Sequence, residues 1–133
     1  MDRWLGHGGM PLIADLGASF GHYGEGWAEA DWRPTAACCN PAGTVQAGVS
    51  AVLLDAAMSF ALLSALEAGE RGATLEMKVS TMRPSRVGDD LTVRGEVVRL
   101  GRRVAYLQAF ARSGDEVVAH ATATFAVLRP DPG

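Results

Sequence analysis

Thr44-Val-Gln-Ala-Gly-Val-Ser-Ala-Val-Leu-Leu-Asp55-Ala-Ala-Met-Ser-Phe-Ala-Leu-Leu-Ser-Ala-Leu-Glu-Ala-Gly69 is the stretch whose reading decides the fold. Alanine, leucine and methionine dominate it, and these are strong helix formers. Thr44 or a neighbour is expected to cap the start, and Ala68-Gly69 to mark the end. Between Pro41 and Leu66 the only charged side chain is Asp55. A helix this apolar on nearly all sides must be buried on most of them. It is also close to the length that spans a bilayer. A carboxylate at the centre of such a span costs about 2.5–3.5 kcal/mol even on the lenient insertion scale. The expectation is therefore a core helix and no membrane span.

The flanking sequence supplies what could bury it. Downstream, four strands are expected, at Ala73–Met82, Leu91–Leu100, Val104–Arg112 and Val117–Leu128. In the first of these, alternation puts Leu75, Met77 and Val79 on one face and Glu76, Lys78 and Ser80 on the other. Pro84 stops it, Val87-Gly88-Asp89-Asp90 turns, and Gly101-Arg102 and Ser113-Gly114-Asp115 read as hairpin connections. Upstream, Phe20–Arg33 reads as one or two short strands around Gly24 and Gly26, followed by a Thr35–Gly43 loop. Leu5, Leu12, Ile13 and Leu16 suit a short helix. Short strands, one buried helix and then four hairpin-linked strands make an α+β chain. A long curved antiparallel sheet wrapped around a single central helix is the hotdog arrangement, here as one domain over residues 1–133.

Composition narrows the function. The 133-residue chain is 48% hydrophobic and carries a net charge of -3, which disfavours nucleic acid as the main partner. Cys38 and Cys39 are adjacent, a spacing poor for a mutual disulfide and unlike a zinc motif. With no signal-like N-terminus, two reduced thiols point to the cytoplasm. No phosphate-binding, dinucleotide or zinc signature is present, so no metal or other cofactor is expected.

Asn40-Pro-Ala-Gly-Thr-Val-Gln46-Ala47-Gly48-Val-Ser-Ala-Val-Leu-Leu-Asp55 resembles the signature of PaaI-type (phenylacetate-pathway) thioesterases, of the 4-hydroxybenzoyl-CoA thioesterase-like hotdog superfamily. That signature has Asn, six residues to His-Gly-Gly, and nine from the His to an acidic residue on the central helix. Asn40, Gln46 and Asp55 keep these spacings. Thr74-Leu-Glu-Met77, Thr81-Met-Arg-Pro84 and Gly88-Asp89 resemble the family's next strand and turn. Two positions depart: Gln46 stands for the usual His, and Ala47 for the first Gly. His7-Gly8-Gly9 has the family's letters, but Leu16 and not an acid lies nine residues on, so His7 is expected in a surface loop.

The resemblance implies hydrolysis of an acyl-CoA or acyl-carrier-protein thioester at a dimer interface, in a homodimer or a dimer-of-dimers tetramer. Asp55 is the acid/base or nucleophilic carboxylate. Desolvation in an apolar helix is expected to raise its pKa toward a general base's range. The Ala47 amide, at the positive helix start, is expected to polarise the carbonyl, aided by Asn40 or Gln46. Gly48 lies beside it, in a substrate-contacting or a packing role. Thr74 matches a position that holds the attacking water. Thr81 and Arg99 match places near the CoA pantetheine and nucleotide, and Arg83, Arg86, Arg99, Arg102 and Arg103 cluster around two turns, as substrate contacts or a solvated charged rim. Ala47 and Asp55 are eight residues apart, roughly 12 Å along a helix, which is too far for one carbonyl and its water. The expectation is a shared site, with Ala47 and Asn40 from one subunit and Asp55 from its partner. A non-catalytic acyl-binding hotdog protein is the alternative that Gln46 and Ala47 keep open. A hotdog dehydratase would need an Asp–His pairing that neither His22 nor His120 offers.

Overall fold

The computed structural model describes residues 2–130. A short helix α1 (Pro11–Asp15) precedes strands β1 (Ala18–Gly24) and β2 (Trp27–Trp32). The central helix α2 (Ala47–Ala65) follows, then β3 (Arg71–Thr81), β4 (Leu91–Leu100), β5 (Val104–Ser113) and β6 (Glu116–Leu128). All six strands join one antiparallel sheet in the order β1-β2-β4-β5-β6-β3. The sheet curves around α2, which is the hotdog arrangement. By length and composition α2 could cross a membrane, yet half of it is buried inside the fold.

The inner face of the sheet is built to let α2 approach closely. Register aligns Ala28, Gly95, Ala109 and Ala121 in one row across β2, β4, β5 and β6. The three alanines are at most 1% exposed. A Cβ added at Gly95 would lie 2.3 Å from the Ala57 carbonyl oxygen and 2.7 Å from the Met58 nitrogen. Larger side chains on neighbouring rows fill the flanks: Trp32, Val93, Leu107 and Phe125 from the strands meet Leu53, Leu54, Met58 and Leu62 from the helix.

Three details differ from expectation. Helix α2 starts at Ala47, not beside Thr44, because the preceding residues are bound elsewhere. Asn40 holds Thr44, and Val45 donates its N–H to the Ser85 carbonyl at 2.8 Å. Gln46 occupies the N-cap position without a side-chain cap. The helix ends at Ala65, where Leu66 is already extended. The third difference is a β-bulge in β3, between Thr74 and Glu76. A bulge inserts one residue and so reverses the alternation of faces. Leu75 is consequently 61% exposed instead of sharing a face with Met77 and Val79. Thr74, opposite the buried Phe125, points inward with Met77 and Val79.

Helix α2 is less enclosed than its composition suggests. Leu53, Leu54, Ala56, Ala57, Met58, Phe60, Ala61 and Leu62 are buried. Val49, Val52, Asp55, Ser59 and Leu63, at helical spacing, form a half-buried stripe, and Ala47 and Gly48 are exposed. Strand β3 is an edge of the sheet and is exposed along most of its length.

The seating of α2 yields a test. Gly95→Ala should cost about 1–3 kcal/mol, because the atoms it meets are backbone and cannot swing aside. Gly21→Ala, where an added Cβ meets nothing within 4 Å, should leave the urea midpoint nearly unchanged.

Candidate active site

Thr74 donates a hydrogen bond from Oγ1 to Oδ1 of Asp55 at 2.7 Å. This contact exists because the bulge turns Thr74 inward onto the helix. Asp55 is half-buried, so a single copy of the chain encloses the carboxylate only in part. Oδ1 is anchored, and Oδ2 has no partner among the described residues.

Eight residues upstream, the start of α2 offers donors. Of the first four amides, that of Gln46 bonds the Cys38 carbonyl at 2.9 Å and that of Val49 the Gln46 carbonyl at 2.9 Å. The amides of Ala47 and Gly48 have no acceptor among the described residues. Both residues are exposed, and an added Cβ at Gly48 would meet nothing within 4 Å. The space over this end of the helix is therefore open, which argues against a close-packing role for Gly48. Two unpaired amides at the positive end of a nineteen-residue helix suit a developing oxyanion.

Asn40 is a loop anchor. Its Oδ1 accepts from the amides of Ala42 at 3.0 Å and Thr44 at 3.2 Å, and its Nδ2 donates to Thr44 Oγ1 at 3.0 Å. That network fixes the turn leading into α2, with one Nδ2 proton left over. The Gln46 side chain is exposed and does not cap the helix.

Beside these amides lies a cleft of about 290 Å³. Thr44, Val45, Ala47 and Ser50 line one wall, and Thr81 to Ser85 with Val118 and Ala119 line the other. Arg83 stands at its edge, paired with Glu116. Arg99 lies elsewhere, with Arg102, Arg103 and Tyr106 around a separate depression. The arginines thus lie at the two turns expected, at opposite ends of the ten-residue β4.

The sheet register gives the scale. Thr81 pairs with Ala119 and Thr74 with Phe125 on β6, six residues apart, or about 20 Å along a strand. Within one chain the site residues fall into two half-sites. One holds Asn40, Gln46, Ala47, Gly48, Thr81 and Arg83; the other holds Asp55 and Thr74, with Arg99 towards that end of the sheet. Sequence reasoning did not single out Ser50 and Ser85, which also line the cleft. A serine in an apolar helix is a weak signal by itself. Among the described residues, no group of three or more His, Cys, Asp and Glu side chains is placed to hold a metal ion.

Comparison with known proteins identifies the family and the fold. The profile of the thioesterase superfamily matches residues 42–120, more than half of the chain. The chain belongs to the thioesterase superfamily. It is 31% identical to human acyl-coenzyme A thioesterase 13 over 67 residues, 50% of this chain and 47% of that one. The curated relatives it matches are covered over 47% to 72% of their length. Among solved structures, a thioesterase family protein of Silicibacter pomeroyi superposes with a TM-score of 0.83 at 30% identity, covering 91% of each chain. An asparagine-to-aspartate variant of the phenylacetic acid degradation protein PaaI of Thermus thermophilus gives a TM-score of 0.81 at 25% identity, covering 89% of this chain and 99% of that one. The superfamily member is of the PaaI type, as its motifs indicated.

The position of Ala47 at the first helical residue can be checked without a substrate. Proline is tolerated there, its N–H being unpaired in any case, and Gln46 already has the extended backbone that a following proline demands. Ala47→Pro should unfold within about 0.5 kcal/mol of the parent chain. Ala51→Pro, one turn further in, should cost about 3 kcal/mol.

Proposed function

We propose that this superfamily member hydrolyses an acyl-CoA-type thioester to the free acid and thiol, with Asp55 as general base or nucleophile. The observation that carries the reading is the division of labour on α2. An anchored carboxylate, held by Thr74, lies at one point, and two unpaired amides at Ala47 and Gly48 lie at another.

The two parts complement each other across a two-fold axis. In an isologous dimer each half-site meets the opposite half-site of the second copy, giving two complete sites. Antiparallel pairing of the exposed β3 edges would build such a dimer, because it reverses direction and would bring the Thr74 end of one strand toward the Thr81 end of the other; what supports it is that β3 is a sheet edge. It also covers the half-buried stripe of α2 that includes Asp55. The reading is thus a homodimer, alone or doubled to a tetramer, with Asn40, Ala47 and Gly48 from one subunit and Asp55 and Thr74 from its partner.

The thioester carbonyl oxygen accepts from the Ala47 amide, with Gly48, Asn40 Nδ2 or Gln46 as further donors. On the general-base route, Asp55 Oδ2 takes a proton from a water held beside Thr74. The water oxygen adds to the carbonyl carbon and the oxyanion rests on the amides. The intermediate then collapses, the C–S bond breaks, and the thiolate leaves with the proton from Asp55. On the nucleophilic route, the carboxylate attacks the carbonyl carbon and expels the thiolate, and water then cleaves the mixed anhydride. A single turnover in ¹⁸O-water separates the routes: label entering the Asp55 side chain marks the anhydride. Thr81 and Arg83 along the cleft, and Arg99 at the other end of the sheet, are the contacts assigned to the thiol carrier, whether CoA or acyl carrier protein. The free thiols of Cys38 and Cys39 suit a cytoplasmic setting.

Free-thiol release from a panel of acyl-CoAs tests the reading. The parent chain should turn over at least one member. Asp55→Asn should lower kcat by about 10²–10⁴-fold with an unchanged unfolding midpoint. Ala47→Pro should lower it by about 10²–10³-fold through loss of the oxyanion donor. Near-normal kcat in Asp55→Asn would remove Asp55 from the mechanism. Binding of the panel without turnover by the parent chain would make this an acyl-binding accessory protein, the role that Gln46 and Ala47 leave in play.

A further inference from the structure

Ser50 and Ser85 are the buried polar or charged residues of the described core, each 7% exposed. They come from different elements, Ser50 from the first turns of α2 and Ser85 from the segment after β3, and both line the cleft beside the Ala47 amide. Neither hydroxyl has a hydrogen-bond partner in the chain among the described residues. Neither is sealed off, since no fully enclosed side-chain oxygen or nitrogen is left without a partner. Each hydroxyl oxygen therefore keeps some accessible surface, and both residues line the cleft.

Burial sets them apart: Ser59, on the same helix, also has no side-chain partner among the described residues, but it is only half-buried. Ser64, on the same helix, returns its hydroxyl to the Ala61 carbonyl at 2.7 Å and accepts from the Gly26 amide at 2.9 Å. The Thr44 hydroxyl in the cleft wall is bound to Asn40. A serine in an α-helix ordinarily bonds a carbonyl one turn back, as Ser64 does. Ser50 leaves that option unused. A ligand group that pairs both hydroxyls while excluding solvent gains the modest net worth of those hydrogen bonds.

We propose that Ser50 and Ser85 form a hydrogen-bonding subsite for a neutral polar group of the substrate, adjoining the thioester carbonyl. The proposal rests on the thioester reading above and specifies its substrate class. Neutrality follows from the surroundings. Val45, Met82, Pro84, Val118 and Ala119 supply apolar walls, and the single ionic side chain in the lining, Arg83, has its charge met by Glu116 at the rim. A carboxylate or phosphate in the cleft would find no free cation beside the serines. A hydroxyl, keto or amide group can both donate to and accept from two hydroxyls. Two parts of a CoA thioester carry such chemistry near the reacting carbon: a hydroxylated or oxidised acyl chain, and the amides of the pantetheine arm.

The test compares the parent chain with Ser50→Ala, Ser85→Ala and the double variant. The substrates are octanoyl- and 3-hydroxyoctanoyl-CoA, benzoyl- and 3-hydroxybenzoyl-CoA, and the propanethiol thioesters of octanoate and benzoate. Each single variant should lose about 3- to 10-fold in kcat/KM. A loss confined to the hydroxylated acyl groups assigns the subsite to the acyl chain. A loss on every CoA thioester that vanishes with the propanethiol esters assigns it to pantetheine. Unchanged kcat/KM throughout, or an equal loss on all substrates including the propanethiol esters, overturns the proposal. If the parent chain cleaves none of them, the hydrolase reading fails separately, and calorimetric titration with the same thioesters reads the same pattern as affinity.

Discussion

One nineteen-residue apolar helix sets the terms for the rest of this structure. Away from its ends its backbone polar groups are satisfied internally, but its side chains must be kept from water on nearly every side. The sheet meets that demand on one flank by presenting a row of alanines with Gly95 at its centre, so that α2 lies almost in backbone contact with β4. The other flank keeps a half-buried stripe next to the exposed edge strand β3. A second copy of the chain supplies the missing cover in the arrangement proposed here, and folding, assembly and chemistry then share one cause.

The same constraint explains where the candidate chemistry sits. A carboxylate on the uncovered stripe of α2 avoids the full desolvation of a core charge, yet docking of a partner can still shield it. The bulge at Leu75 adds the local support by turning Thr74 inward to bond Asp55. The start of α2 stays open because Asn40 and Ser85 tie down the residues before it, leaving the amides of Ala47 and Gly48 unpaired. Each feature is modest in isolation. In the proposed dimer, two copies would place these complementary parts face to face.

Much of this was legible before the structure. The composition of α2 announced a core helix, and the Phe20–Arg33 stretch announced the strands that the structure shows as β1 and β2. The bounds of β4 agree with expectation to the residue. The spaced motif from Asn40 to Asp55, with Thr74 and Thr81 beyond it, carried the family. What escaped has physical reasons. The bulge in β3 breaks strict alternation, so Leu75 looked inward and Thr74 outward on period alone. The late start of α2 depends on Asn40 and Ser85 binding residues that local propensity would have left helical. Ser50 and Ser85 gave no pattern at all, because an unpaired hydroxyl can be recognised only once its neighbours are known.

The central claim is that each complete site takes its carboxylate from one subunit and its helix amides from the other. Mixing the Asp55→Asn and Ala47→Pro chains, by co-expression or by unfolding and refolding together, tests it most directly. Each chain alone is inactive on this account, but the mixed dimer regains one intact site of its two. With random pairing, activity should return to roughly a quarter of the parent level. If the mixture stays as inactive as its components while forming mixed dimers, carboxylate and amides act within a single chain, and the shared-site account is wrong.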